Sequence, residues 1–290
     1  MIQVILQGGL GNQMFEYATA YALARKQETS FALDISYMDV FGHKPWCRPY
    51  ELWVFALHSK ACFTHKHRSA VRILGRLRLF FRKHSKTRCG RYYFDVADKS
   101  VMKTKSAILF DYCANYHTFD AYREDILKEF AFITQPNTQN QALLDEIKKT
   151  NSVSVHIRRG DYLNAANRNL FHTPPVEWYR RAMEMIEKNT NVPHYYFFSD
   201  DITWVHENFA DIKGATFVDI NHGADAYNDM RLMSACRHNI IANSTFSWWG
   251  AWLNTNPDKI VIAPAKYYIN EDANARYHLS MLPKKWIILG

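Results

Sequence analysis

The residues best suited to chemistry in this 290-residue chain are Arg158, Arg159 and Asp161, in the run His156-Ile157-Arg158-Arg159-Gly160-Asp161-Tyr162. Two adjacent guanidiniums at a strand end repel each other unless an anion meets them, and the planar fork of an arginine matches phosphate oxygens. Gly160 allows sharp backbone bending, and Asp161 can orient one arginine. One carboxylate cannot neutralise two guanidiniums, so the run reads as a phosphate clamp in preference to a structural ion pair. A second group is Asn243-Ser244-Thr245-Phe246-Ser247. Hydroxyls and unpaired N–H groups opening a helix hold phosphate without needing charge, and the cluster exceeds what one N-cap requires. Asp200 suits a base N–H or a ribose hydroxyl, and equally a cap for the helix that follows. Near the start, Gly8-Gly9-Leu10-Gly11-Asn12-Gln13 forms a turn whose backbone can approach a ligand. Asn12 and Gln13 carry amides suited to sugar hydroxyls, although ordinary turn and capping chemistry explains them as well. Met14 stands where a dinucleotide fingerprint has its third glycine, which weighs against a nicotinamide or flavin oxidoreductase.

The elements that must position these residues follow from apolar spacing. Strands are expected at 2–6, 31–35 and 107–110, with one helix carrying Met14, Phe15, Ala18, Tyr21, Ala22 and Leu23 and another near 119–130. The second half alternates clearly. Strands at 153–157, 194–198, 215–219, 238–242 and 259–263 are separated by helices near 176–189, 202–209, 224–235 and 246–254. Such alternation predicts a parallel sheet covered by helices. Its strand ends share one edge, so His156 to Asp161, Ser199 to Asp201 and Asn243 to Ser247 would line one crevice. Trp248, Trp249 and Trp252 are expected in the core of this half. The polar break at 135–140 and a helix at 140–149 mark the boundary between halves, giving domains at 1–150 and 151–290.

Composition removes several classes. The chain is 48% hydrophobic, long enough for two domains, and has no apolar run of about 18 residues for a membrane span. Its first residues lack the basic start and long apolar stretch of a signal peptide. The five cysteines have no paired spacing, which argues against a disulfide framework or a zinc site and for a reducing, cytoplasmic home. No Asp-X-Asp motif exists to hold a divalent metal against a diphosphate, so positive side chains and helix N-termini must meet that charge. The net charge of +8 is local, because residues 58–91 hold eleven Lys or Arg and no Asp or Glu. Within it, 66–84 reads as a helix with Val71, Leu74, Leu77 and Phe81 on one face and Arg68, Arg72 and Arg76 on another. Packing of that helix on its own domain is the favoured reading, and an interfacial helix resting on anionic lipid is the other. No basic–aromatic module accompanies the charge, so nucleic acid is not an expected partner.

Taken together, three runs resemble bacterial α-1,2-fucosyltransferases of glycosyltransferase family 11: Gly8 to Ala18, His156 to Tyr162, and Ile241 to Trp249. The resemblance implies an α/β chain of GT-B fold, with two Rossmann-like domains facing across a cleft. It implies inverting, metal-independent transfer of L-fucose from GDP-β-L-fucose to the 2-hydroxyl of a terminal galactose in an oligosaccharide acceptor, with no cofactor. By motif position, Arg158 would contact the diphosphate and stabilise departing GDP, with Arg159 supporting it or binding the cleft wall. His156 would lie beside the nucleotide, and Ser244, Thr245, Phe246 and Ser247 would hold phosphate oxygens. Asn12 and Gln13, on the glycine turn with Gly9 and Gly11, would sit near the fucose and acceptor. Asp161 is the nearest motif carboxylate to serve as base, or it only orients Arg158; Glu16 and His172 are weaker alternatives. The competing reading is a catalytically silent glycan-binding protein of the same fold.

Overall fold

A computed structural model of the chain describes residues 1–59, 61–83 and 87–290, with the backbone alone for 76–83. It separates into two units, Met1–Thr134 and Gln135–Gly290. The first contains β1 (Ile2–Ile5), α1 (Leu10–Lys26), β2 (Phe31–Asp34), α2 (Ser36–Phe41), β3 (Cys62–Thr64), α3 (Arg68–Lys83), β4 (Arg88–Cys89), β5 (Tyr92–Tyr93), β6 (Ala107–Leu109) and α4 (Arg123–Glu129). Its sheet runs β3-β2-β1-β6-β5-β4 and is parallel except for the short β4–β5 pair. β1 is buried along its whole length because it lies at the centre of this sheet. The helix expected near 119–130 is shorter, since two one-turn 3-10 segments precede α4. On α3, Val71 is buried in a cluster with Ile5, Phe94, Ile108 and Phe110, and Leu74 packs against that cluster, as a helix seated on its own unit would require. Leu77 and Phe81, expected on the same face, and Arg76 have side chains outside the described residues.

The second unit contains α5 (Thr138–Lys149), β7 (Asn151–Ile157), α6 (Val176–Asn189), β8 (Pro193–Ser199), α7 (Ile202–Phe209), β9 (Ala215–Val218), α8 (Tyr227–Ala235), β10 (His238–Ile240), α9 (Thr245–Leu253), β11 (Val261–Pro264), α10 (Glu271–Met281) and β12 (Ile287–Leu289). Every paired strand is parallel, in the order β12-β11-β10-β7-β8-β9. β7 pairs with β8 over all seven of its residues, from Asn151↔Pro193 to Ile157↔Ser199. Val153, Val155 and Ile157 join Trp178, Tyr179, Phe197 and Phe209 in the core. Trp248, Trp249 and Trp252 are buried as expected, and the Trp248 indole N–H donates to the Met281 carbonyl.

The boundary falls between Thr134 and Gln135, not at 150, because α5 belongs to the second unit. The Asn140 and Asn221 amides exchange hydrogen bonds of 2.8 and 2.9 Å, and the Tyr196 hydroxyl donates to Glu146 at 3.0 Å. Sequence periodicity missed β3, β4, β5, α10 and β12, most of which are too short to show a period. Among the described residues no helix is long and apolar enough to cross a membrane.

One core group is chemically misplaced. The Tyr179 hydroxyl is fully buried with no hydrogen-bond partner among the described residues. Burial pushes its ionisation far above the ordinary tyrosine range, so the hydroxyl stays neutral. Tyr179→Phe removes an unsatisfied polar atom and keeps the ring. It should raise stability by roughly 1 kcal/mol in urea denaturation; a loss of that size would show that the hydroxyl has a partner.

Candidate active site

In the second unit, strands lead outward from β7 through β8 to β9 on one side and from β10 through β11 to β12 on the other. The order therefore reverses between β7 and β10, and in open α/β sheets ligands bind beyond the strand ends at such a reversal. Val155 pairs with Ile240, so the chain leaves these strands at Arg158 and Asn243 side by side. Two contacts confirm the approach. The Tyr162 hydroxyl donates to the Asn243 carbonyl at 2.8 Å, and the His156 and Phe246 rings are 6.0 Å apart. The three polar strand ends expected to share one edge do so.

The arginines meet more carboxylate than the local motif suggested. Arg158 donates to Asp161 at 2.6 Å and lies 3.1 Å from Asp200. Burial works against its charge, but Asp200 and Asp161 more than offset this and hold its pKa above the ordinary value. Arg159 is committed elsewhere: its side chain bonds Asp201 at 3.2 Å, and its guanidinium lies 3.7 Å above the Trp204 ring. Arg159 thus anchors the loop that carries Arg158, the supporting or wall-binding place expected of it. Asp200 accepts the Arg159 backbone N–H at 2.9 Å and faces Arg158. Asp201, not Asp200, caps α7 by accepting the Trp204 N–H. Gly160 is needed for a different reason from bending. A Cβ there would collide with the Asp200 carboxylate. In the sequence Asp201 stands out only as part of the strand end Ser199 to Asp201 and Trp204 not at all, because nothing local ties them to an arginine forty residues earlier.

The hydroxyl-rich turn divides its labour. Ser244 caps α9, its oxygen accepting the Phe246 N–H at 3.3 Å. Ser247 is buried and donates to the Ala242 and Ser244 carbonyls, and the Asn243 amide donates to the His172 and Tyr267 carbonyls. Asn243 and Ser247 thus fasten the turn with their side chains. Ser244, Thr245 and Phe246 are only partly buried and carry the exposed start of α9. His156 is buried, with no partner for Nδ1 among the described residues. Burial first, then the Arg158 charge, push its pKa down to about 4, against a smaller opposing pull from Asp200.

The glycine turn of the first unit follows β1. Gly8 adopts φ +70°, and a Cβ there would strike Asn12 and crowd Tyr112. Gly9 caps α1 in an extended conformation, and Gly11 is buried inside that helix. Asn12 is half-buried, but Gln13 is spent: it donates to the Gly8 and Pro49 carbonyls and accepts the Glu51 N–H. It thus anchors the 48–51 segment, in line with the turn chemistry that is the other reading of this residue. Glu16 is buried and accepts the Gln7 N–H at 3.0 Å. Glu51, paired with Arg48 at 2.7 Å and lying against Gly9, was missed because residues 36–57 carry no readable pattern. Among the described residues no group of three His, Cys, Asp or Glu side chains converges as a metal site would require.

A charged switch point of this kind in a Rossmann-type sheet is where open α/β proteins bind their ligands, and the relatives narrow the class. The model of glycosyl transferase family 11 matches residues 77–289. The chain is 34% identical to the O-antigen biosynthesis glycosyltransferase WbnK of Escherichia coli, over 91% of this chain and 93% of that protein. It is 31% identical to an α-1,2-colitosyltransferase of Escherichia coli, over 97% and 96%. The mouse galactoside 2-α-L-fucosyltransferase Sec1 is 25% identical over 91% of this chain and 67% of its own length. Among solved structures, the NodZ α-1,6-fucosyltransferase of Bradyrhizobium soaked with GDP-fucose matches with a TM-score of 0.50 at 12% identity, covering 87% of this chain and 92% of that one. That likeness bears on the fold, which is the expected GT-B class of two Rossmann-like units. This chain belongs to glycosyl transferase family 11. It is an enzyme of the α-1,2-fucosyltransferase type, and the catalytically silent alternative gains no support.

The neutral state of His156 sets a stability test. An unfolded imidazole binds its proton near pH 6.5, whereas the folded one does so near pH 4. Between these values the unfolded chain holds more protons, so stability falls as pH drops from about 6.5 to about 4 and is untouched above. Urea titrations should show His156→Gln losing less stability than the parent over that window, by a difference on the order of 2 kcal/mol; parallel curves would contradict the neutral assignment.

Proposed function

We propose that the chain moves L-fucose from GDP-β-L-fucose to the 2-hydroxyl of a terminal galactose, with inversion at the anomeric carbon. The observation that carries this reading is the approach of Arg158 to the start of α9 across the switch point. In this reading the pyrophosphate seats between the guanidinium and the Ser244–Thr245 hydroxyls with the first N–H groups of the helix, where the helix dipole favours negative charge. The galactose 2-oxygen attacks the fucose anomeric carbon as the bond to the diphosphate oxygen breaks, and the departing GDP gains charge that Arg158 stabilises. Because Asp161 and Asp200 already fix that guanidinium, little reorganisation accompanies the reaction. These fixed positive groups take the part a divalent ion plays in Asp-X-Asp enzymes. Asp161 holds Arg158 and is half exposed, so it can also accept the hydroxyl proton late in an oxocarbenium-like transition state, where a weak base suffices. His156 serves the nucleotide as a neutral hydrogen-bonding ring. The glycine turn, with Gly9, Gly11 and the amide of Asn12, is assigned to the acceptor side.

A peripheral contact with an anionic membrane, on the inner face of a cytoplasmic enzyme, is a second proposal. It rests on the acid-free basic stretch 58–91 and on the exposure of Arg72 and Ile73 on α3.

A GDP-release assay with GDP-fucose and a panel of galactose-terminated acceptors should show acceptor-dependent turnover. Arg158→Ala should lower kcat by roughly 10²–10³-fold; a purified variant with near-normal rate would remove Arg158 from the mechanism. Sedimentation with anionic liposomes should retain the protein at low salt and release it at high salt. Protein left in the supernatant at low salt rules out the lipid contact.

A further inference from the structure

We propose that Tyr162 is a positioning residue, a latch that sets the spacing between the arginine loop and the turn opening α9; this rests on the phosphate-binding reading of the switch point. Arg158 and Asp161 belong to a loop that ends in the 3-10 turn Gly160–Leu163, and Ser244 belongs to a separate turn eighty residues later. A diphosphate must touch both, so their separation has to be held before the ligand arrives. Tyr162 is where the two are joined. Its ring is buried and stacks on Phe171, with centroids 4.3 Å apart and planes 12° from parallel. Its hydroxyl donates to the Asn243 carbonyl at 2.8 Å, the residue immediately before the α9 cap. The Arg158 guanidinium lies 5.7 Å from the same ring, so one side chain touches both halves of the site.

The surroundings fix the latch. Asn243 is buried and its amide grips the His172 and Tyr267 carbonyls, so the turn cannot shift without breaking several bonds. The Tyr267 hydroxyl lies 3.5 Å from that of Tyr162, closing a small polar cluster beneath the crevice. Burial holds Tyr162 well above the ordinary tyrosine range, so it keeps the proton it donates. The residue itself need not meet the substrate; it acts through the position of the Asn243–Ser244 backbone. Phenylalanine preserves the stacking and deletes only the join.

The readout is the preference for GDP over guanosine, measured by calorimetry on the full chain. A merely structural role for the hydroxyl would lower the amount of folded protein without changing that ratio in the molecules that bind. Tyr162→Phe should reduce the preference roughly 10-fold and lower kcat about 10–100-fold while guanosine binding stays within about two-fold. If the parent protein itself shows no preference for GDP over guanosine, the phosphate-binding reading fails. If the parent does and Tyr162→Phe keeps it with normal kcat, the latch alone is overturned. Should Tyr162→Phe not fold, Phe171→Leu, which loosens the stacking but leaves the hydroxyl, reads the same ratio. A reduced preference supports the latch, and an unchanged one overturns it.

Discussion

A guanidinium left alone at a strand mouth samples many positions, and it spends conformational entropy each time a ligand collects it. Arg158 is spared this because Asp161 and Asp200 grip it from two directions, one from its own loop and one from the end of β8. The grip also keeps its charge, against a burial that would otherwise weaken it. On the proposed reading, a diphosphate would meet an arginine that is already fixed. A guanidinium has five N–H donors, so two carboxylate contacts leave capacity for phosphate oxygens.

Everything around the site serves that placement. Gly160 has no side chain because the Asp200 carboxylate occupies the space. Arg159 looks like a second clamp but is tied to Asp201 and stacked on Trp204, which anchors the loop carrying Arg158. The reversal of strand order between β7 and β10 brings the start of α9 to the same place. A neutral His156 completes this wall without adding charge that Arg158 would repel. In this α-1,2-fucosyltransferase-type enzyme of family 11, one well-held cation and one helix end thus stand side by side at the switch point.

Much of this was legible in the sequence, and the limit is physical. Period-two and period-3.6 patterns located β7 to β11 and α5 to α9 of the second unit to within a few residues, while α10 and β12 went unread. The two chemical runs also stood out, because adjacent arginines and stacked hydroxyls are rarely placed without a partner. What sequence could not supply was the identity of those partners. Asp200 and Asp201 meet the arginines only because β8 pairs with β7 in full register, so counting charges within the motif wrongly left one arginine unpaired. Gln13 and Asn243 also brace their turns, through backbone carbonyls brought in from residues 49, 172 and 267 that the local sequence does not reveal. The domain boundary slipped for the same reason, as the contacts of α5 lie eighty residues away at Asn221.

The central claim is that one pyrophosphate bridges Arg158 and the opening of α9. A crystal of this protein soaked with GDP tests it most directly. The account predicts phosphate oxygens within hydrogen-bonding distance of the Arg158 guanidinium and of the hydroxyl or N–H groups of Ser244 to Phe246, with Arg159 still on Trp204. A diphosphate bound away from both, or held by Arg159 in place of Arg158, would contradict it.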